Sequence, residues 1–456
     1  MNYMKFYFEN LGLLEKAEIE LSNLTIVCGE NNTGKTYATY AIYGFLKSWR
    51  RFIYPVLANE IGSLIEGKNN YKINLENIFK GKINFYLNKL SEQYISTLPE
   101  VFASREDAFT KTKMQISIEN EKSIVEKSFQ RRLGGENTFA TITKKENSPE
   151  LEILIAEEND YLFGFVDFII DAITEIIFAP YFPNTHISSA ERTGAAIFRK
   201  ELDMARTRVL KAINEMDSKD IKNKPWSLFQ KIDADYAWPV EDNVDFVRQL
   251  EEIDKQVSDL SKNEPEILSK FDEIIGGSYK VLKNQGLVFQ AKGSKNKKYT
   301  MNEASSCTRA LLDVGFYIRC RAKIGDLFII DEPELNLHPK NQRAFARLIA
   351  QLINAGIKVF ITTHSDYLIK EINTLIMLNQ KTDHTRKIQQ KYDYSDKELI
   401  NHETLNLYMT AKAKKSSKLN HLKKAKIYPN LGIDVTTFDD TIETMNAIQN
   451  DLLYGE

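Results

Sequence analysis

Apolar residues of this chain fall into short runs broken by polar turns. Phe6 and Phe8 alternate with polar neighbours, Asn10-Leu11-Gly12 turns the chain, and Ala17-Glu18-Ile19-Glu20-Leu21 alternates again. This period of two predicts an antiparallel strand pair. Three later runs are mostly apolar and do not alternate: Leu24-Thr25-Ile26-Val27-Cys28, Leu327-Phe328-Ile329-Ile330 and Ile357-Lys358-Val359-Phe360-Ile361-Thr362. Runs of that length suit parallel strands covered on both faces. Another buried-strand pattern spans Phe178 to Pro183.

Helical spacing marks Tyr37 to Lys47, with Ala38, Ala41, Ile42 and Phe45 on one side, and then Phe163 to Ile177, Ala196 to Ile213 and Asn341 to Leu352. Val247, Leu250, Ile253, Val257 and Leu260 form a stripe that fits either a coiled-coil arm or a core-facing helix. Met114 to Ile118, Thr138 to Thr143 (around a charged turn at Gly134-Gly135) and Leu151 to Ala156 read as further strands, and residues 279–301 as a small meander. A strand at Ile433 to Val435 and a helix with Phe438, Ile442, Met445 and Leu452 inward close the chain. The pattern predicts an α/β fold with a mixed sheet and an N-terminal antiparallel element. An α+β insertion falls at 51–177, a helical arm or lid at 201–279 and a lysine-rich segment at 376–456.

Composition narrows the function classes. With 456 residues, 43% hydrophobic and 27% charged, the sequence is that of a multidomain globular protein. Lys plus Arg number 61 against 63 Asp plus Glu, so any nucleic-acid surface must be a local patch. Lys412, Lys414, Lys415, Lys418, Lys423, Lys424 and Lys426 form one such cluster, readable as a DNA contact or as a solvated loop. Cys28, Cys307 and Cys320 have neither metal-ligand spacing nor a disulfide framework. The start Met1 to Phe6 lacks a signal-peptide pattern, and the run from Val166 to Phe182 is interrupted by Asp167, Asp171 and Glu175. A cytoplasmic protein with no membrane span is expected.

The chemistry lies at the ends of the apolar runs. Gly29-Glu30-Asn31-Asn32-Thr33-Gly34-Lys35-Thr36 fits G-x-x-x-x-G-K-[ST] between a strand and a helix. There, backbone N–H groups and the helix's positive end surround an anion, Lys35 reaches terminal phosphates and Thr36 coordinates Mg²⁺. Asp331 and Glu332 end the second run, where ligands bind in open α/β sheets. Asp331 is placed for the metal shell and Glu332 to polarise an attacking water. His364, after the third run, is placed to orient the γ-phosphate.

On these residues the chain resembles the ABC-type ATPase heads of the SMC, RecF and overcoming-lysogenization-defect (OLD) groups. The antiparallel strands before Gly29–Thr36, the block Asp331-Glu332-Pro333-Glu334-Leu335-Asn336-Leu337-His338-Pro339 and Thr363-His364-Ser365 carry the resemblance, which implies a discontinuous head over 1–50, 178–200 and 280–375. It implies ATP and Mg²⁺ as cofactors, and a homodimer or higher homo-oligomer through the ATP sites. It further implies that Ser305 and Ser306 reach the nucleotide of the other copy, although Cys307 stands where glycine is commoner, and that Asn336 to His338 touches the partner. Arg192 matches a nucleotide-proximal position; a surface salt-bridge arginine is the alternative. OLD relatives often carry a nuclease built on a Glu and a later Asp-x-Asp, and no Asp-x-Asp follows Glu371. The chain therefore resembles the stand-alone ATPase subunits of anti-phage systems such as Septu and PARIS, with a separate nuclease or toxin subunit. A RecF-like DNA-repair ATPase is the competing expectation.

Overall fold

A computed structural model describes residues 4–62, 70–134, 139–155, 165–198, 236–283, 286–293, 297–413, 417–434 and 444–452. A nine-stranded mixed sheet organises them. Across it the strands run Lys113–Ile118, Met4–Leu11, Leu14–Glu20, Asn420–Lys424, Leu405–Lys412, Leu24–Cys28, Lys358–Thr363, Leu327–Asp331 and Thr185–Ser188. The last five of these are parallel neighbours.

The apolar runs do not alternate because both faces of these strands are covered. Val27, Leu327, Ile329 and Phe360 point into a core with the helix Lys35–Gly62. Ile26, Cys28, Phe328, Ile330, Val359 and Ile361 point into a second core with the helices Pro339–Asn354 and Asp366–Leu378. Each such side chain contributes about 1.5–3 kcal/mol on burial, enough together to hold polar groups at the strand ends.

Register brings the site together. Thr363 pairs with Cys28 and Asp331 with Thr362, so three parallel strands end side by side. The glycine loop, the Asp331-Glu332 pair and His364 therefore leave the sheet at one edge.

Several elements differ from the sequence reading. The first helix runs on from Lys47 to Gly62 through Pro55, because Trp49, Phe52, Ile53 and Leu57 keep its apolar stripe in the core. Residues 178–183 are not a strand. A π-helical turn (Thr174–Phe178) and a 3-10 turn at Pro180 precede the true strand, Thr185–Ser188. Lys113–Ile118 leaves the insertion and pairs with Met4–Leu11, while Ala140–Lys144 takes Phe129–Leu133 as its partner. The stripe at 244–260 is split among Trp238–Arg248, Leu250–Ile253 and Asp259–Asn263. Val247, Leu250, Ile253 and Leu260 are buried and Val257 is exposed, as in core-facing helices. Most of 196–213 lies outside the described residues, as do Phe438 and Ile442.

The C-terminal segment differs most. It supplies two strands to the centre of the sheet, Leu405–Lys412 directly beside the glycine-loop strand and Asn420–Lys424 next to it. The closing strand is Gly432–Ile433, and Met445 and Leu452 are exposed rather than inward. Among the described residues no helix is long and apolar enough to cross a membrane.

One buried titratable group makes the fold acid-sensitive. His186, on the strand Thr185–Ser188, stacks on Tyr317 with ring centroids 4.4 Å apart and is enclosed by Phe246 and Phe328. Burial pushes its pKa down from 6.5 to about 3. The unfolded chain therefore binds more protons between those values, and stability falls as pH drops through that window. The full loss is on the order of 5 kcal/mol. Urea midpoints from pH 7 to pH 4 should decline steeply in the wild type and less steeply in His186→Phe. Parallel slopes would remove the assignment.

Candidate functional site

The glycine loop has the backbone that its sequence requires. Gly29 and Gly34 adopt φ of +145° and +102°, and Asn32 sits in the left-handed region at +57°. A Cβ on Gly29 would lie 1.8 Å from Thr410 Oγ1, and one on Gly34 would lie 2.7 Å from Leu14 Cγ. Space and dihedral both exclude side chains there. Thr33 and Lys35 are buried, while Asn31, Asn32 and Thr36 face solvent. Lys35 Nζ donates to the Gly29 and Glu30 carbonyls at 3.1 and 2.7 Å. Burial lowers its pKa, and the nearby carboxylates of Glu332, Asp331 and Glu334 oppose that shift.

Asp331 is 1% exposed at the end of its strand. Its Oδ1 accepts from the Thr362 hydroxyl, and its Oδ2 is buried with no hydrogen-bond partner. Burial pushes the carboxyl up to about 6, against the Thr362 bond. Glu332 follows in a left-handed conformation, φ +51°, which costs a non-glycine residue about 1–2 kcal/mol. Its Oε1 lies 3.0 Å from His364 Nε2, and this bond more than offsets burial and keeps the Glu332 pKa below the ordinary value. His364 N donates to Glu334 Oε1 at 2.6 Å. Glu334 is raised by burial, and its Oε2 is also without a partner. Lys35, Asp331, Glu332 and His364 thus form one electrostatic cluster at the sheet edge.

The residues fit a magnesium nucleotide. An unpaired, buried carboxylate oxygen on Asp331 and the solvent-facing Thr36 of the glycine loop suit a hard cation that brings most of its other ligands with it. Among the described residues no group of three or more His, Cys, Asp or Glu stands ready to hold a metal by itself. Thr36 and Asp331 would be the protein's ligands, and the phosphates and water would supply the rest.

Ser305 and Ser306 are exposed where the helix Ser306–Ala310 begins, and Ser305 Oγ accepts from Thr308 N at 3.1 Å. Arg192, which the resemblance put at a nucleotide-proximal position, lies behind the carboxylate pair, on the Asp331 and Glu332 carbonyls. It is 1% exposed, and its guanidinium donates to main-chain carbonyls. That burial excludes the surface salt bridge. Asn336 is in the left-handed region at φ +61°, and Asn336 Nδ2 donates to Thr193 Oγ1 at 3.4 Å. Of the lysine cluster, Lys424 pairs with Glu20 at 3.0 Å and Lys412 ends a sheet strand, while Lys414 and Lys415 lie outside the described residues.

Sequence reasoning missed three supports. Glu334 stood in the quoted block without a role, although its spacing from Glu332 puts it under His364. Thr410 closes over Gly29, and Asn420 Nδ2 donates to the Thr33 carbonyl at 3.2 Å. The alternating run Leu405-Asn406-Leu407-Tyr408 is a short strand signal for Thr410, obscured by the lysines that follow it, and nothing comparable marks Asn420.

A glycine loop and a carboxylate pair at the carboxyl ends of neighbouring parallel strands define a P-loop-type α/β ATPase fold. The AAA ATPase domain family, AAA_15, matches residues 1–369, and the chain belongs to that family. Three solved structures align along most of the chain. An SMC head bound to the C-winged helix domain of ScpA is 13% identical, covering 92% of this chain and 97% of that one at a TM-score of 0.35. The SMC head domain from Thermotoga maritima is 10% identical over 94% and 100%, at 0.33. An SMC head domain with an extended coiled coil, bound to the C-terminal domain of ScpA derived from Pyrococcus furiosus, is 12% identical over 98% and 100%, at 0.32. No curated protein matches the chain.

Proposed function

We propose that this chain binds and hydrolyses ATP, and that two copies pair around the nucleotide as a switch. The observation that carries the reading is the meeting of Lys35, Asp331, Glu332 and His364 at the ends of three adjacent strands. Magnesium, when bound, neutralises phosphate charge and aligns the oxygens. Lys35 turns from its own loop carbonyls to the phosphates. Glu332, a carboxylate whose pKa the His364 bond holds below the ordinary value, accepts a proton as water oxygen bonds to the γ-phosphorus and the bond to the bridging oxygen breaks. His364 keeps the Glu332 carboxylate aimed.

Ser305 and Ser306, exposed at a helix start, would complete the site of the opposite copy. The resemblance of the 331–339 block to OLD-like ATPases supports a role as the ATPase subunit of an anti-phage defence system acting with a separate effector nuclease. Mass measurement of the Glu332→Gln chain with and without ATP tests the pairing. A shift from monomer to dimer with ATP is expected, and a mass unchanged by ATP in both wild type and variant would remove it.

A further inference from the structure

Arg192 has a role that neither the glycine loop nor the carboxylate pair accounts for. Its guanidinium lies inside the protein and meets three separate stretches of main chain. Nε donates to the Ala310 carbonyl at 2.8 Å, and Nη1 to those of Ser189 at 2.9 Å and Asp331 at 2.6 Å. Nη2 donates to the Glu332 carbonyl at 2.7 Å. Ala310 ends the helix that Ser305 caps, and Arg309 Nη1 fastens the start of that helix to the Ala304 carbonyl at 2.5 Å. The helix is a single stiff turn, so displacement at Ser305 or Ser306 is carried to Ala310.

At the other end of the guanidinium is the strained peptide. Glu332 holds φ +51°, and its carbonyl accepts from both Arg192 Nη2 and Leu335 N, the latter at 3.1 Å. Backbone in this region persists only where its surroundings over-determine it. Asp313, Asp331 and Glu332 lie close enough to balance the buried positive charge. A lysine ammonium is a compact point charge and cannot span three carbonyl-bearing segments, whereas a planar fork with five donors can.

We propose that Arg192 is a positioning residue that couples the helix Ser306–Ala310 to the Asp331–Glu332 peptide, so that engagement of Ser305 and Ser306 by a second copy sets the aim of the Glu332 carboxylate. The proposal rests on the ATPase reading above. It makes hydrolysis conditional on pairing through one buried side chain held by main-chain carbonyls.

The test is Arg192→Lys in the full chain, with ATP affinity and turnover measured beside the wild type. Expected is a fall in kcat of at least about 30-fold with Kd for ATP within about threefold, since the ground-state contacts stay and only the aim is lost. Millimolar guanidinium should restore part of the turnover of Arg192→Ala. A Kd raised tenfold with kcat retained would make Arg192 a nucleotide ligand, and an unchanged kcat would make it mere filling; either result overturns the proposal. If the variants do not fold, hydrogen exchange of the wild type decides. Segments 306–311 and 329–335 should gain protection together as ATP is added, and protection of one without the other overturns the coupling. Absence of turnover in the wild type would instead count against the ATPase reading, and the exchange measurement does not depend on turnover.

Discussion

Lys35→Ala should weaken ATP binding by about 10- to 100-fold or more while leaving the fold intact. Lys35 is the buried cation of the cluster, and a charge-assisted contact of this kind is worth about 1.5–3 kcal/mol. Its bonds in the free protein go to the loop carbonyls of Gly29 and Glu30, and Glu30 is exposed to water that can replace them. The unfolding midpoint should therefore change little. Calorimetric titration with Mg·ATP and a thermal melt on the same sample check both halves. Wild-type affinity in the variant would mean that the loop is not the phosphate cradle.

Glu332→Gln should lower turnover by about 10²- to 10⁴-fold, the contribution of a positioned general base. Affinity should hold, because the amide keeps the size of the side chain and a hydrogen bond to His364. Bound ATP then persists and the paired form accumulates. Phosphate release under saturating ATP measures the first effect. A variant as fast as the wild type would take the base role away from Glu332.

The parts of this site that were legible in the sequence are those coded locally. The runs before Gly29, at Leu327–Ile330 and at Val359–Thr362 are mostly apolar without alternation because both faces are covered, and such runs announce buried parallel strands. The chemistry at their ends followed from the strand direction alone. Long-range pairings carry no such signal. Nothing near Met114 shows that Lys113–Ile118 will pair with Met4–Leu11 across a hundred residues of chain.

Lysine density hid the strands Leu405–Lys412 and Asn420–Lys424, although both lie between the glycine-loop strand and the N-terminal pair. The helix read at Tyr37 to Lys47 continues past two arginines and a proline, because its apolar stripe runs on to Ile61. The role of Arg192 was illegible for a different reason. Its partners are carbonyl groups, which every residue has, and its own turn and two distant segments supply them. No residue pattern marks such a joint.

The central claim is that the loop at 29–36, the carboxylates at 331 and 332 and the histidine at 364 act on one triphosphate. A single-turnover experiment on the wild-type chain addresses it most directly. Radiolabelled ATP is bound, excess nucleotide removed, Mg²⁺ added, and free phosphate followed with time. One phosphate released per ATP bound, only when Mg²⁺ is present, is the predicted result; ATP recovered intact from the wild type after Mg²⁺ is added would contradict the account.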